Sequence, residues 1–156
     1  MRMDHIGIAA LAFSILLAVP QQADAQGDES QVIATVQEFF DSMSTKDTAA
    51  ARQILVMDAT YFSVREGDDG TTIRGSTNRE YVERLATTDN DLQERMWDPQ
   101  VMVHEGIAVV WAPYEFQVNG EFSHCGVDAF SLVRIDGRWK IAGIVYTVEQ
   151  ECGVGK

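Results

Sequence analysis

Two dipeptides constrain the fold of this chain more than any other feature: Asn119-Gly120 and Asp136-Gly137. Each supplies the consecutive positive φ angles that a two-residue type I′ turn needs, and each is flanked by alternating residues. They join "IAVVWAPYEFQV", "EFSHCGVDAFSLVRI" and "RWKIAGIVYTVEQ" into an antiparallel meander.

Upstream, three segments have helical periodicity. Val32, Ile33, Val36, Phe39, Phe40 and Met43 form one apolar face, with Asp28 or Ser30 as the expected cap. A second helix is expected from about Asp47 to Leu55. A third starts at "STNRE", where Thr77 and Glu80 have capping-box spacing and Tyr81, Val82 and Leu85 point inward. "MDATYFSVRE", "TTIRG" and "LQERMWDPQVMVHEG" read as further strands, and Asp58 as a turn cap. Helices, a hairpin, a helix and then a long meander make an α+β order.

The turns also predict side-chain direction. Two-residue turns place Val118 opposite Glu121 and Ile135 opposite Arg138. Counting outward then sets Glu115 opposite His124 and Trp111 opposite Asp128, with Phe130 between Val109 and Gly143. By alternation, Phe122, His124, Asp128, Phe130, Trp111, Trp139, Ile141 and Val145 share the helix-facing side. Cys125, Val127, Ala129, Tyr114 and Ile144 share the other, with Pro113 the expected place for any bulge. The outer face is still apolar, which predicts a homodimer through it.

The first 25 residues are expected to be a signal peptide. Arg2 precedes an apolar run, Ile6–Val19, shorter than the roughly 20 residues a membrane span needs. Pro20 and the small-x-small sequence Ala23-Asp24-Ala25 follow. Residues 26–156 then form a single exported domain, periplasmic or secreted, with no membrane attachment after cleavage. The formal charge of −12 argues against nucleic acid and anionic membrane as main partners, because nothing would neutralise phosphates. In an oxidising compartment Cys125 and Cys152 are either a disulfide or two free thiols. Two sulfurs do not make a structural zinc site, and neither metal nor cofactor is expected.

"FSHCGVDAF" has the look of a catalytic set, but on a strand His124 and Cys125 point to opposite faces. Asp128 lies about 13 Å along the strand from His124, beyond direct hydrogen bonding. His124 is either a structural partner of Glu115 or a binding or acid–base group; His104 is an exposed strand end. Asp128, facing inward, must be hydrogen-bonded or held protonated. It is either satisfied by neighbouring donors or available as a base or hydrogen-bond donor.

The pieces "WAPY", "NGEFSHCG", "DAFSLV" and "GRWKI" stand in an order that resembles the nuclear transport factor 2-like superfamily, in its putative lumazine-binding and SnoaL-like branch. The resemblance runs from about Glu29 to Thr147. It implies a cone-shaped, curved antiparallel sheet wrapped around N-terminal helices, the cystatin-like fold, with a pocket inside and often a dimer outside. Steroid isomerases of that fold carry a proton-transferring Asp at the end of "D-A-T-x-x-D"; here "DATYFS" has Ser63. Three functions are therefore expected in order. The first is binding of a small apolar or aromatic ligand by Trp111, Phe130, Trp139, Tyr61 and Tyr81, oriented by Asp128 and His124. The second is a cofactor-independent lyase or isomerase using Asp128, and the third a dimeric interaction or scaffold domain.

Overall fold

A computed structural model describes residues 22–152, with side chains from residue 27 onward; residues 1–21 of the expected signal peptide lie outside the described residues. Helix α1 (Gln22–Thr45) runs through Asp28 and Ser30, so neither is its cap. Asp28 instead pairs with Arg134 of the sheet at 2.5 Å. Val32, Val36, Phe39, Phe40 and Met43 are buried, as their spacing requires. A turn through Lys46 (φ 58°) leads to α2 (Thr48–Ile54). The Asp47 carboxylate accepts from the Ala49 and Ala50 amides at 3.0 and 2.9 Å. In α3 (Asn78–Leu85), Thr77 and Glu80 close the capping box, and Val82 and Leu85 are buried.

The strands are β1 (Thr60–Arg65), β2 (Thr72–Thr77), β3 (Leu92–Met96), β4 (Gln100–His104), β5 (Ile107–Val118), β6 (Glu121–Ile135) and β7 (Arg138–Thr147). They form one open sheet in the order β2-β1-β7-β6-β5-β3, with β4 also on β5. Among the described strands every pairing is antiparallel except β1 with β7, so the expected curved antiparallel sheet carries one parallel pair. The chain leaving α2 sets that direction: Leu55 bridges Ile141 in parallel and the Val56 amide donates to the Ile141 carbonyl at 2.9 Å.

The segment 92–104, which reads as one strand in the sequence, is two. Asp98 has φ 46° and Pro99 brings no N–H, so the chain turns there. β3 then covers Tyr114–Val118 of β5, and β4 covers Ile107–Trp111. The edge of a long strand is thus paired in two pieces set at a bend, and the sheet curls around the helices.

Both hairpin turns form as expected, with φ of 55° and 78° at Asn119-Gly120 and 50° and 77° at Asp136-Gly137. Val118 faces Glu121 and Ile135 faces Arg138. Beyond the turns, two bulges displace the pairing. Ser123 is the extra residue between Phe116 and Gln117, and Ala142 the extra residue between Ser131 and Leu132. Each slips the register by one residue and turns later side chains over.

Asp128 therefore lies between Ala112 and Tyr146, not Trp111 and Val145; Phe130 lies between Val110 and Ile144; His124 faces Phe116, not Glu115. Tyr114 and Ile144 are buried, while Val109, Trp111, Phe122 and Val145 stand on the outer face. Trp139 and Ile141 precede the second bulge and keep their inward places.

One close approach depends on a missing side chain. A Cβ at Gly126 would sit 2.4 Å from the Thr147 carbonyl oxygen. That carbonyl accepts from the Tyr114 hydroxyl at 2.7 Å, and the Thr147 hydroxyl accepts from the Val127 amide at 3.0 Å. Gly126 lets the end of β7 close over β6.

Candidate functional site

Between the concave side of the sheet and helices α1 and α3 lies a cavity of about 190 Å³. Each element contributes by its own period. α1 brings Phe39 and Met43, one turn apart; α3 brings Tyr81. β5 brings Tyr114 and Phe116, and β6 brings His124, Asp128 and Phe130 on alternate positions. Tyr61 enters from β1, Glu94 from β3 and Tyr146 from β7.

Asp128 is 2% exposed, and its Oδ2 has no hydrogen-bond partner. Its other interaction is with the carboxyl of Glu94. Glu94 is half-buried as a residue, but its carboxyl is the desolvated end, turned toward Asp128. Burial pushes Asp128 up from 3.8 to about 7. Burial, and then the like charge of Asp128, lift Glu94 well above the usual carboxylate range. Two hydrogen-bonded carboxyls need a proton between them, and they titrate as a pair. The bond favours the proton on Glu94, leaving Asp128 as the acceptor.

The surrounding hydroxyls divide into used and unused. Tyr114 donates to Thr147, Tyr146 is bonded to Ser63, and Tyr61 accepts from Arg84. The Tyr81 hydroxyl is buried without a partner, and desolvation raises its pKa far above the phenol range. His124 touches Ser123 through Nδ1 at 3.0 Å, and its ring lies 4.9 Å from that of Phe116. Burial, with Arg65 nearby, lowers its pKa and keeps the imidazole neutral at pH 7.

Of the residues expected at the site, Asp128, His124, Phe130, Tyr61 and Tyr81 line the cavity. Trp111 does not: the first bulge turns it outward, 54% exposed. Trp139 is buried away from the cavity, its ring under the Arg134 guanidinium at 4.4 Å. Cys125 and Cys152 form a disulfide, with Cα atoms 5.9 Å apart. Glu94, Tyr114 and Tyr146 were not anticipated. Glu94 had a signal, since Leu92, Glu94 and Met96 alternate as one inward-facing set.

The carboxyl pair sets a pH dependence of stability. Both groups bind protons more tightly folded than unfolded. Their contribution is whole below the ordinary carboxyl range and is lost as pH rises through about 7 for Asp128, and higher for Glu94. Each proton released gives a slope of up to about 1.4 kcal/mol per pH unit. Asp128→Asn is expected to flatten the fall between about pH 4 and 7. Urea midpoints across that range check it; parallel profiles for variant and wild type would remove the pair.

A curved open sheet closed over three helices, with its cavity inside, is the cone of the nuclear transport factor 2-like class. Solved structures agree on the fold. A superfamily protein from Salmonella enterica serovar Typhimurium superposes with TM-score 0.63 at 14% identity, covering 84% of this chain and 97% of that one. A putative dehydratase of the same family from Streptomyces avermitilis gives 0.62 at 18%, covering 81% and 99%. The beta subunit of a putative aromatic-ring-hydroxylating dioxygenase from Novosphingobium aromaticivorans gives 0.66 at 9%, covering 83% and 94%. No curated protein matches the chain. The profile of the family described as "Putative lumazine-binding" matches residues 27–147, and the chain belongs to that family.

Proposed function

We propose that this chain is an exported, small-molecule-binding domain that works as a homodimer. The observation that carries the reading is a ring-lined cavity with a buried carboxyl group, Asp128, that among the described residues interacts with the Glu94 carboxyl and receives no N–H donor. A buried acceptor left unsatisfied costs about 1–3 kcal/mol, and a bound donor recovers it. The family description supports a small-molecule ligand. Ser63, at the position where the resembled isomerases keep their base, spends its hydroxyl on Tyr146, which favours binding over proton transfer.

Export is supported by the apolar run Ile6–Val19 and by a disulfide suited to an oxidising compartment. Dimerisation is supported by the outer face. Trp111, Ala129, Val145 and Phe62 are neighbours in one row across β5, β6, β7 and β1, and Trp111, Val145 and Phe62 are 40–54% exposed. One observation favours a second reading, a lyase or isomerase in which Asp128 moves a proton: Glu94 gives it a partner to share that proton with.

Native mass spectrometry of the protein purified from the exporting host tests the proposal. A dimer, retained small-molecule mass and a loss of two hydrogens are expected. A monomer with no bound mass, unmoved in melting temperature by a broad metabolite panel, would overturn it. A ligand-free, unresponsive dimer would assign the chain to the scaffold class instead.

A further inference from the structure

Resting on the binding reading, we propose that the cavity's ligand is a cation: a small protonated amine on an apolar body, its N–H donors held by Asp128 and Glu94. Charge comes first. Among the described residues, the lining contains two carboxyl groups and no lysine or arginine. Its one basic side chain, His124, is held neutral by burial. An anionic guest would meet carboxyl groups in a low-dielectric space with no counter-charge to receive it.

Hydrogen bonding comes second. Apart from the Glu94 carboxyl, no N–H or O–H of the described residues donates to Asp128, and once deprotonated its carboxylate accepts only, so a guest that brings a donor is favoured. A ketone, ether or carboxylate brings none. An alcohol or amide brings one but leaves the carboxylate charge uncompensated. An ammonium group does both. The unpartnered Tyr81 hydroxyl gives a further N–H an acceptor.

The walls come third. Tyr61, Tyr81, Tyr114, Phe116 and Tyr146 present aromatic rings to the same space, and ring faces attract cations once water is excluded. The cavity of about 190 Å³ equals about six waters' share of liquid volume, which suits a small amine rather than a nucleotide cofactor.

The remaining charges near the site do not replace the guest. Arg84 of α3 is engaged by Tyr61 and Ser76. Arg65 of β1 acts on His124, and Glu149, after β7, adds negative charge near Tyr114. Binding has a proton balance. Near neutral pH the empty pair holds between one and two protons, since Asp128 titrates at about 7 and Glu94 higher. An ammonium between them stabilises both carboxylates, so the pair releases protons to solvent as the guest enters.

The test is isothermal titration of the folded, disulfide-bonded protein with phenethylamine, phenethyl alcohol and phenylacetate at one pH near neutral. The amine is expected to bind at least about tenfold more tightly than the alcohol, with no binding of the acid, because a charge-assisted bond replaces a neutral one. Repeating the amine titration in buffers of different ionisation enthalpy should show net proton release. Asp128→Asn, and separately Glu94→Gln, should erase both the preference and the release. Equal or tighter binding of the alcohol would overturn the cation assignment and leave the binding reading standing. Absence of binding by all three would overturn the cation assignment. The binding reading itself falls only with the metabolite panel and native mass results given under the proposed function.

Discussion

Truncating Phe130 to alanine is expected to destabilise the domain by about 3–5 kcal/mol, the range for a large core aromatic. Its ring is 1% exposed and meets those of Phe39 and Phe40 edge-on, at centroid distances of 6.2 and 6.0 Å. It also forms part of the cavity wall, so the lost ring adds to a space that already exists and that the neighbours do not collapse into. Urea unfolding measures the effect. Trp111→Ala is the control, expected to cost under about 1 kcal/mol in the monomer because Trp111 stands on the outer face. Had the register lacked its first bulge, Trp111 would face inward and the tryptophan variant would also be severely destabilised. Comparable losses in the two variants would refute the observed register.

Breaking the disulfide is the other large effect. Cys125 and Cys152 are 27 residues apart, and closing a loop of that length in the unfolded chain is worth about 3.5 kcal/mol. Cys152→Ser should lower the melting temperature by roughly 10 °C under oxidising conditions. In excess dithiothreitol the gap between variant and wild type should vanish, since both then lack the cross-link. A gap that persists unchanged under reduction would mean that Cys152 acts by packing and not by closing a loop.

The parts of the fold legible in the sequence are those set by neighbours along the chain. Asn119-Gly120 and Asp136-Gly137 require their turns locally, and Thr77 with Glu80 declares a helix start over one turn. The inward set of α1 follows from its spacing. The hidden parts depend on contacts across the sheet. Ser123 bulges with no glycine or proline next to it, Ala142 has only the neighbouring Gly143 as a signal, and Pro113, the obvious place, pairs regularly with Val127. The two slips exchange Trp111 for Ala112 and Val145 for Tyr146 beside Asp128.

The candidate site divides in the same way. Asp128, His124 and Phe130 reach the cavity because they lie together on β6 beyond its Ser123 bulge and before the point opposite the Ala142 bulge of β7, where alternation holds. Their partners come from other strands and arrive one residue displaced. Glu94 is hard to see in the sequence because β3 and β4 read there as one strand. The parallel seat of β1 beside β7 is set by α2, through a contact no local pattern encodes.

The sheet's rows have a structural consequence. Trp111, Ala129, Val145 and Phe62 on the convex side are chain neighbours of Ala112, Asp128, Tyr146 and Tyr61 on the concave side. One thickness of peptide therefore serves as the partition between two compartments. The proposed partner on the convex side and the proposed ligand on the concave side would thus rest on the two faces of the same residues' backbone, Trp111–Ala112, Asp128–Ala129 and Val145–Tyr146.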